Sequence, residues 1–277
     1  MKTSTLVLGA MVVLGTTPAA AEENQATGDE IVRAARAGAP SDIASALQRG
    51  ERTQCFACIG TVETLLYHDD VYVRQLAALW LRKRPMGFGP VMMRTRETLA
   101  DTSEDVGVRA DAAEALGNFA DWHSVPALST AAADDPSAQV RAAAVRALGQ
   151  LDIPTGQDAI VGALADSDAG VRAAAVDAAM SLNGFSSHSE IVGLISDSDA
   201  RVRYRAAVAV GELGIDEGAA ALEGVVLTDE NPWVRQNAAY ALGVLGASDA
   251  RETLEAAAED TDRWVRSAAR VALSMLR

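Results

Sequence analysis

The chain has 277 residues with a net charge of −14, and only 4% of its residues are aromatic. Such an acidic chain repels phosphate backbones, so we exclude nucleic acid as a partner. Abundant alanine and few aromatic residues favour closely packed helices over a β-rich core.

The N-terminus has the features of a secretory signal peptide. Lys2 supplies a positive start, residues 6–14 form an apolar core, and small residues lead up to Ala21. We expect cleavage after Ala21, which removes residues 1–21 and places the mature protein in the periplasm or outside the cell. The apolar stretch is too short to span a membrane, and no later segment is long enough.

Residues 22–50 lack the repeated motif described below. They contain two predicted short helices, Gly28–Ala37 and Ser41–Gln48. We interpret this segment as a helical cap that shields the first unit of a repeat array over residues 51–277.

Cys55 and Cys58 are the sharpest chemical feature of the sequence. In an exported protein we expect them to form a disulfide, and a redox-active pair or a metal or haem site are the alternatives. A c-type haem would require His where Ile59 stands, and a zinc site has only His68 nearby. We therefore predict no cofactor, no metal site and no catalytic residue.

A basic run, Arg82-Lys83-Arg84, precedes a stretch rich in proline and glycine, which is predicted as a connection, and Arg94 and Arg96 follow it. These cations are expected either to contact an acidic partner or anionic lipid, or to form a solvated helix end favoured by the helix dipole.

The dipeptide Val-Arg recurs at a nearly regular spacing in seven units, and successive arginines of this series are 35, 32, 31, 31, 32 and 31 residues apart. Alanine follows each Arg by three residues, and apolar residues follow it by six and seven. Counted from the Val, these positions fall at i, i+4, i+7 and i+8, the buried stripe of an amphipathic helix. The seven arginines are Arg74, Arg109, Arg141, Arg172, Arg203, Arg235 and Arg266.

A weaker helix is predicted before each of the later Val-Arg helices, and Gly214 and Gly246 are placed where a left-handed cap is expected. Each unit is then a helical hairpin, which cannot bury its faces alone and must stack on its neighbours. The predicted second helices are Ser124–Ala133, Gln157–Ala165, Glu190–Ser196, Gly218–Leu227 and Arg251–Glu259.

Acidic residues precede the repeated arginines. We predict that they cap helix N-termini and pair with the Arg of the same or the adjacent repeat, forming a structural ladder that fixes register. Because nearly every unit carries the same pair, a catalytic role is implausible. An Asp lies six residues before the last five arginines, at Asp135, Asp166, Asp197, Asp229 and Asp260, and the first two units have Asp70, Glu104 and Asp105 nearby.

Residues 142–149, which follow Val140-Arg141, give the pattern Ala-Ala-Ala-Val-Arg-Ala-Leu-Gly. This pattern resembles the HEAT repeat, and in particular its short variant from phycobilisome lyases, over about residues 53–277. The resemblance implies an all-α solenoid, a right-handed superhelix with the Val-Arg helices on its concave side. It does not imply one function, since the family includes scaffolds, bilin lyases and a di-iron hydroxylase.

Neither enzymatic relative fits this sequence well. The hydroxylase requires His-Glu pairs, whereas this chain has only three histidines, His68, His123 and His188, and no His-Glu dipeptide. Export weakens the lyase interpretation, because the partners of a bilin lyase are intracellular.

Binding specificity is expected at the positions that packing does not use. In repeats five to seven these positions are rich in Tyr, Trp and Arg, the residues most often found as interface hot spots. The alternative is that the Trp rings fill gaps between hairpins. The candidate partner-binding residues are Arg201, Tyr204, Arg205, Trp233, Gln236, Asn237, Tyr240 and Trp264.

The sequence therefore predicts an exported, non-enzymatic scaffold or adaptor that binds a protein partner through the concave or edge surface of the solenoid. The alternative is a redox or cofactor-handling accessory protein that uses Cys55 and Cys58. No Gly-rich phosphate loop, nucleophile elbow or metal-ligand motif is present in the sequence.

Overall fold

The computed structural model describes residues 25–276, and these residues form sixteen α-helices and no strands. The predicted all-α solenoid is confirmed. The predicted signal peptide, residues 1–21, lies outside the described residues. The two predicted helices ahead of the first repeat are present as α1 (Gly28–Ala37) and α2 (Pro40–Arg49).

Seven helical hairpins follow, and each consists of a Val-Arg helix and one other helix. This other helix comes first in the chain, and we call it the second helix of the hairpin. The second helices are α3 (Ile59–Thr64), α5 (Pro85–Ala100), α7 (Val125–Asp134), α9 (Gln157–Ala163), α11 (His188–Gly193), α13 (Ala219–Val226) and α15 (Arg251–Ala257). The Val-Arg helices are α4 (Val71–Arg82), α6 (Val106–Asn118), α8 (Ala138–Leu151), α10 (Ala169–Ser181), α12 (Ala200–Glu212), α14 (Pro232–Leu245) and α16 (Arg263–Met275).

Most Val-Arg helices begin at an Asp or Asn four residues before the Arg. The side chain of this residue accepts hydrogen bonds from backbone N–H groups of the first helical turn, as Asp168 does from Gly170 and Val171. The equivalent caps are Asp70, Asp105, Asp199, Asn231 and Asp262. The prediction that the aspartates six residues before the Arg cap these helices was therefore wrong.

Helix ends also follow the local chemistry. Gly214 and Gly246 adopt left-handed conformations with φ of 65° and 67°, as predicted. The stretch after Arg84 was predicted as a connection, and this was wrong. It is the start of α5, with Pro85 in the first turn, where the missing N–H costs nothing, and with Pro90 inside the helix. The 35-residue step between Arg74 and Arg109 arises from this long helix.

The Val-Arg helices approach one another closely through a column of glycines eight residues after the Arg. A Cβ placed on Gly149 would lie 2.7 Å from the Cβ of Ala178 on the next Val-Arg helix, so only glycine fits there. The same contact recurs at Gly117, Gly211 and Gly243. The second helices pack on each other less extensively. The closer layer of a curved stack lies on its inside, so we infer that the Val-Arg helices form the inner face.

The first repeat departs from the pattern because its neighbour is the cap. Trp80 replaces the usual alanine and is buried, and its indole N–H donates to the carbonyl of Gly50 at 2.9 Å. The Arg84 guanidinium lies 3.4 Å from the centre of the Trp80 ring and donates to the carbonyls of Gly50, Glu51 and Thr53. Burial lowers the pKa of Arg84 to about 10. These two side chains fasten the segment after α2 to α4.

The close approach at Gly149 leads to a test. Replacing Gly149 with Leu is expected to push α8 and α10 apart and to lower the free energy of unfolding by about 1–3 kcal/mol. Denaturant unfolding followed by circular dichroism measures the change. Gly162→Ala is the control, because a Cβ there meets nothing within 4 Å and alanine favours the helix. An unchanged stability of Gly149→Leu would contradict the close packing of the inner layer.

Candidate functional site

The repeated arginines bind two turns at once. The Nε and Nη2 atoms of Arg141 donate to both carboxylate oxygens of Asp166 in the next repeat, at 2.7 and 2.8 Å. Its Nη1 donates to the backbone oxygen of Asp135 in its own repeat, at 3.0 Å. Such bidentate, charge-assisted bonds have fixed geometry. The same carboxylate pairing occurs in Arg109–Asp135, Arg172–Asp197, Arg203–Asp229 and Arg235–Asp260.

The carboxylates of the ladder also shape their own turns. Each accepts the backbone N–H of the residue two positions later, as Asp166 does from Asp168 at 2.8 Å. The hydrogen bonds from Arg141 hold the pKa of Asp166 below its ordinary value, and those from Arg235 do the same for the pKa of Asp260. Both carboxylates are therefore ionised at neutral pH.

The first and seventh arginines do not form this rung. Arg74 pairs instead with Glu114 at 2.8 Å and with Asp111 at 3.5 Å, both on α6. Among residues 25–276, Arg266 meets no carboxylate and donates only to the backbone oxygens of Asp260 and Thr261. The predicted ladder of seven arginines is thus a ladder of five complete rungs.

The disulfide candidates lie beneath the cap. Cys55 and Cys58 are joined in a disulfide, with their Cα atoms 5.3 Å apart. Gly28, the first residue of α1, rests on it, since a Cβ there would lie 2.7 Å from the Sγ of Cys55. Cys58 is buried and its Sγ is 3.5 Å from the Gly28 oxygen. The bond therefore supports the docking of the cap on the first repeat.

The basic run does not form one surface, in contrast to the hypothesis of a shared partner or lipid contact. Arg84 is buried against Trp80, whereas Lys83 and Arg94 each pair with a nearby glutamate. Arg96 lies partly buried on α5, with its Nε and one Nη atom enclosed. Arg84, Lys83 and Arg94 therefore serve separate local contacts.

Several of the predicted partner-binding residues meet in one groove of about 500 Å³ between α12 and α14, which we call the inner groove. Arg201 and Tyr204 line one wall, and Trp233 and Asn237 line the other. The complete lining is Ala200, Arg201, Tyr204, Asn231, Trp233 and Asn237. The sequence prediction did not include Asn231, although its position as the cap of a helix next to Trp233 could have indicated it.

The aromatic rings of this region face solvent. Trp233, Tyr240 and Trp264 are 61%, 48% and 52% exposed, so they do not fill gaps between hairpins. Trp233, Asn237, Tyr240 and Val244 are spaced by four, three and four residues, so they lie on one stripe of α14. Val244, which was not predicted, is 47% exposed and extends the stripe away from the inner groove.

Hydrogen bonds hold the polar side chains of the inner groove in place. The side-chain oxygen of Asn231 accepts the backbone N–H of Trp233 at 2.9 Å, and the side-chain amide of Asn237 donates to the backbone oxygen of Trp233 at 2.7 Å. Arg201 pairs with Asp199 at 2.9 Å, and its hydrogen bonds lower the pKa of Asp199 to about 2. The groove thus presents ordered amides, two aromatic rings and a neutralised ion pair.

The remaining candidates lie beside the inner groove. Arg205 pairs with Asp177 on α10 at 3.0 Å, while its guanidinium lies 5.2 Å from the Tyr204 ring centre. Gln236 is half-buried on α14, and Trp264 lies one repeat further along on α16. Arg205 therefore positions Tyr204 rather than lining the groove.

Two further features of the described residues bear on function. Among residues 25–276, no helix is both long and apolar enough to cross a membrane. Within the same range, no three His, Cys, Asp or Glu side chains converge as a metal-binding group.

Comparison with known proteins identifies the repeats. The family of HEAT repeats matches residues 125–188 and 189–274, together more than half of the chain. No curated protein sequence matches the chain significantly.

Solved structures show the fold alone, because all those described here are less than 25% identical to the chain. YibA of Escherichia coli is 18% identical with a TM-score of 0.58, and the alignment covers 98% of this chain and 99% of YibA. Kap95p, solved with RanGDP, is 14% identical with a TM-score of 0.60, covering 89% of this chain and 39% of Kap95p. The complex of CpcE and CpcF of phycocyanin lyase from Nostoc sp. is 22% identical with a TM-score of 0.44, covering 79% and 86% respectively.

Breaking one rung tests the ladder. Arg172→Gln leaves the largely buried Asp197 carboxylate without its partner, and we expect a loss of about 3 kcal/mol in the free energy of unfolding. Arg201→Gln is the matched control, because its pair with Asp199 is solvent-exposed and contributes about 1 kcal/mol at most. Urea unfolding gives both values. Equal losses for the two variants would contradict the structural role of the ladder.

The disulfide is tested by reduction. A loop this short predicts a stabilisation of about 2 kcal/mol, and the loss should be local to the cap. Hydrogen exchange measured by mass spectrometry should show faster exchange in α1 and α2 after reduction, with α8 to α16 unchanged. The variant Cys55→Ser/Cys58→Ser should show the same pattern without reductant. Catalytic turnover in a thiol–disulfide exchange assay would instead favour the redox interpretation.

Proposed function

Because the chain belongs to the HEAT-repeat family, we propose that it is an exported, non-enzymatic scaffold that binds a partner protein through the inner face of repeats five to seven. The contact surface comprises the inner groove together with the exposed stripe of α14. Function in this family is set by such surfaces and not by the fold.

The observation that carries this proposal is the set of aromatic side chains at and beside an ordered groove. Trp233 and the half-buried Tyr204 line the groove from α14 and α12, and exposed Tyr240 lies on the same stripe of α14 as Trp233. Removing each large apolar side chain from water on binding contributes roughly 1.5–3 kcal/mol. Three such side chains on rigid helices supply enough free energy for a specific complex.

The polar groups of the inner groove suit a polypeptide partner. The Asn237 amide uses one N–H on the Trp233 carbonyl, so its oxygen and second N–H are available to a bound main chain. Because this amide is already fixed, little conformational entropy is lost when it binds. The aromatic rings on either side favour an apolar side chain between them.

The acidic groups most prominent in the sequence are occupied by structural bonds, which supports a non-enzymatic role. The carboxylates of the five complete rungs each bind a guanidinium and a backbone N–H. A general acid or base must be free to exchange a proton with substrate. The Cys55–Cys58 disulfide lies against Gly28 and supports the cap.

Export rests on the sequence of residues 1–21, with its positive start, apolar core and small residues before Ala21. A disulfide between Cys55 and Cys58 is consistent with an oxidising compartment such as the periplasm or the cell exterior. The partner is accordingly expected to be an envelope or extracellular protein.

A triple substitution tests the binding surface. The variant Tyr204→Ala/Trp233→Ala/Tyr240→Ala should lose at least about tenfold in affinity for the partner, because the hot-spot side chains are removed. Affinity capture from the native envelope with quantitative mass spectrometry identifies the partner, and titration calorimetry on the purified pair measures the loss. Trp122→Ala is the control, since Trp122 is 65% exposed but lies in the turn before α7, outside repeats five to seven.

Circular dichroism must show that the triple variant keeps the helical content of the unmodified protein. With the fold intact, unchanged binding by the triple variant would overturn the proposed surface. A loss of binding in Trp122→Ala of equal size would place the contact elsewhere.

A further inference from the structure

We propose that α16 is a docking site for an acidic protein segment, which Arg266 binds through a carboxylate. Three arginines, Arg263, Arg266 and Arg270, are spaced by three and four residues and therefore lie along one stripe of this helix. We call them the α16 basic stripe. The inference deepens the proposed function and rests on it, because it names the chemistry of the partner.

The α16 basic stripe is unusual in a chain of net charge −14. Within residues 25–276, Arg266 and Arg270 donate to the backbone oxygens of Asp260 and Ala258, and no carboxylate lies within 4.0 Å of the three guanidinium groups. By contrast, the four arginines of α12 and α14 each pair with an aspartate at 2.7 to 3.0 Å. The charge of the α16 basic stripe therefore remains available to an external anion.

The position of Arg266 shows which anion fits. Its Nη1 donates to the backbone oxygens of Asp260 and Thr261 at 2.7 and 2.9 Å. Arg235 makes the equivalent contact with Asp229 at 2.7 Å, and its Nε and Nη2 bind the Asp260 carboxylate at 2.8 and 3.0 Å. Arg266 is held in the same way, so its Nε and Nη2 edge is oriented to receive an aspartate.

Five rungs of the ladder serve as internal examples of this recognition. In each, the carboxylate belongs to a turn that leads into a helix, and it also accepts a backbone N–H of that turn. A partner that presents an aspartate in such a turn would bind Arg266 with the geometry that this chain already uses.

Apolar side chains flank the α16 basic stripe. Trp264 is 52% exposed with the Arg263 guanidinium 4.5 Å from its ring centre, and Val271 is 42% exposed. Trp264 and Trp233 both lie two residues before a ladder arginine, so the surface continues from the inner groove. An acidic segment with apolar neighbours satisfies both features. A polyanion such as nucleic acid fits less well, because the rest of the chain repels it.

A defined peptide tests this site. The probe is a fluorescein-labelled peptide with the sequence of Glu255–Arg263, the segment that contains the carboxylate bound by Arg235. The control peptide has Gln and Asn in place of its Glu and Asp residues. Fluorescence anisotropy with the full-length protein at low ionic strength should show binding of the acidic peptide only, weakening as salt is added.

Arg266→Gln should weaken binding of the acidic peptide by about tenfold or more, as expected for loss of a charged hydrogen-bonding partner. Arg266→Lys keeps the charge but not the bidentate geometry and should lose part of the affinity. Arg146→Gln is the matched control, because Arg146 is an exposed arginine on another Val-Arg helix, and it should bind as the unmodified protein does. Melting curves establish that each variant is folded.

The inference is overturned if the amide peptide binds equally well, or if Arg266→Gln binds the acidic peptide without loss. It is also overturned if anionic phospholipid vesicles or duplex DNA bind more tightly than the peptide in an Arg266-dependent manner. Dimerisation in light scattering that Arg266→Gln abolishes would identify a second copy as the occupant, which also rejects the proposal. Peptide binding should survive the triple variant of the inner groove, so failure here and failure of the proposed function are distinguishable.

Discussion

The structure depends on arginines whose guanidinium group binds two turns at once. In each complete rung, the arginine donates to a backbone oxygen of its own repeat and to the aspartate carboxylate of the next, as Arg172 does with Asp166 and Asp197. Because the fork is planar and bidentate, it sets both the distance and the orientation between neighbouring hairpins. An array whose units touch only their neighbours needs such a device to keep its register.

The ladder also limits the positions of a Val-Arg helix that the proposed partner could contact. Along most Val-Arg helices, packing uses the valine, the arginine and the alanines three and six residues later, and four of these helices add a glycine eight residues after the arginine. The positions one and five residues after the arginine vary most from repeat to repeat. At these two positions repeats three and four have Ala142, Arg146, Ala173 and Asp177, whereas repeats five and six include Tyr204 and Tyr240. The aromatic side chains at these two positions thus belong to the later repeats.

Much of this organisation could be predicted from the sequence, because the same local pattern occurs several times at a spacing of about 31 residues. The helices, the left-handed turns at Gly214 and Gly246 and the pairing of arginine with aspartate all follow from that pattern. The capping role was assigned wrongly because acidic residues stand both four and six residues before the arginine. Only the folded turn shows that Asp168 caps the helix while Asp166 reaches the neighbouring repeat.

Features without periodicity were not predictable from one sequence. The contact of Trp80 and Arg84 with the carbonyl of Gly50 joins residues 30 or more positions apart, and no repeat predicts it. The Pro/Gly-rich start of α5 was interpreted as a loop because local propensity disfavours helix there, and packing overrides it. The inner groove required knowing which positions of α12 and α14 meet.

Departures from the repeat therefore mark the places where the neighbour changes. Trp80 replaces alanine where α4 meets the cap, and Met180 replaces the close-packing glycine where the fourth repeat meets the fifth. A methionine side chain prevents the approach that glycine allows, so the junction ahead of the inner groove differs from the four junctions that have a glycine at this position. On α16, the unpaired Arg266 is a third departure, since its partner in the ladder is missing among the described residues. Trp80 remains buried, whereas Arg266 keeps its Nε and Nη2 edge without a carboxylate among the described residues, so this departure is the one that the proposed acidic partner would use.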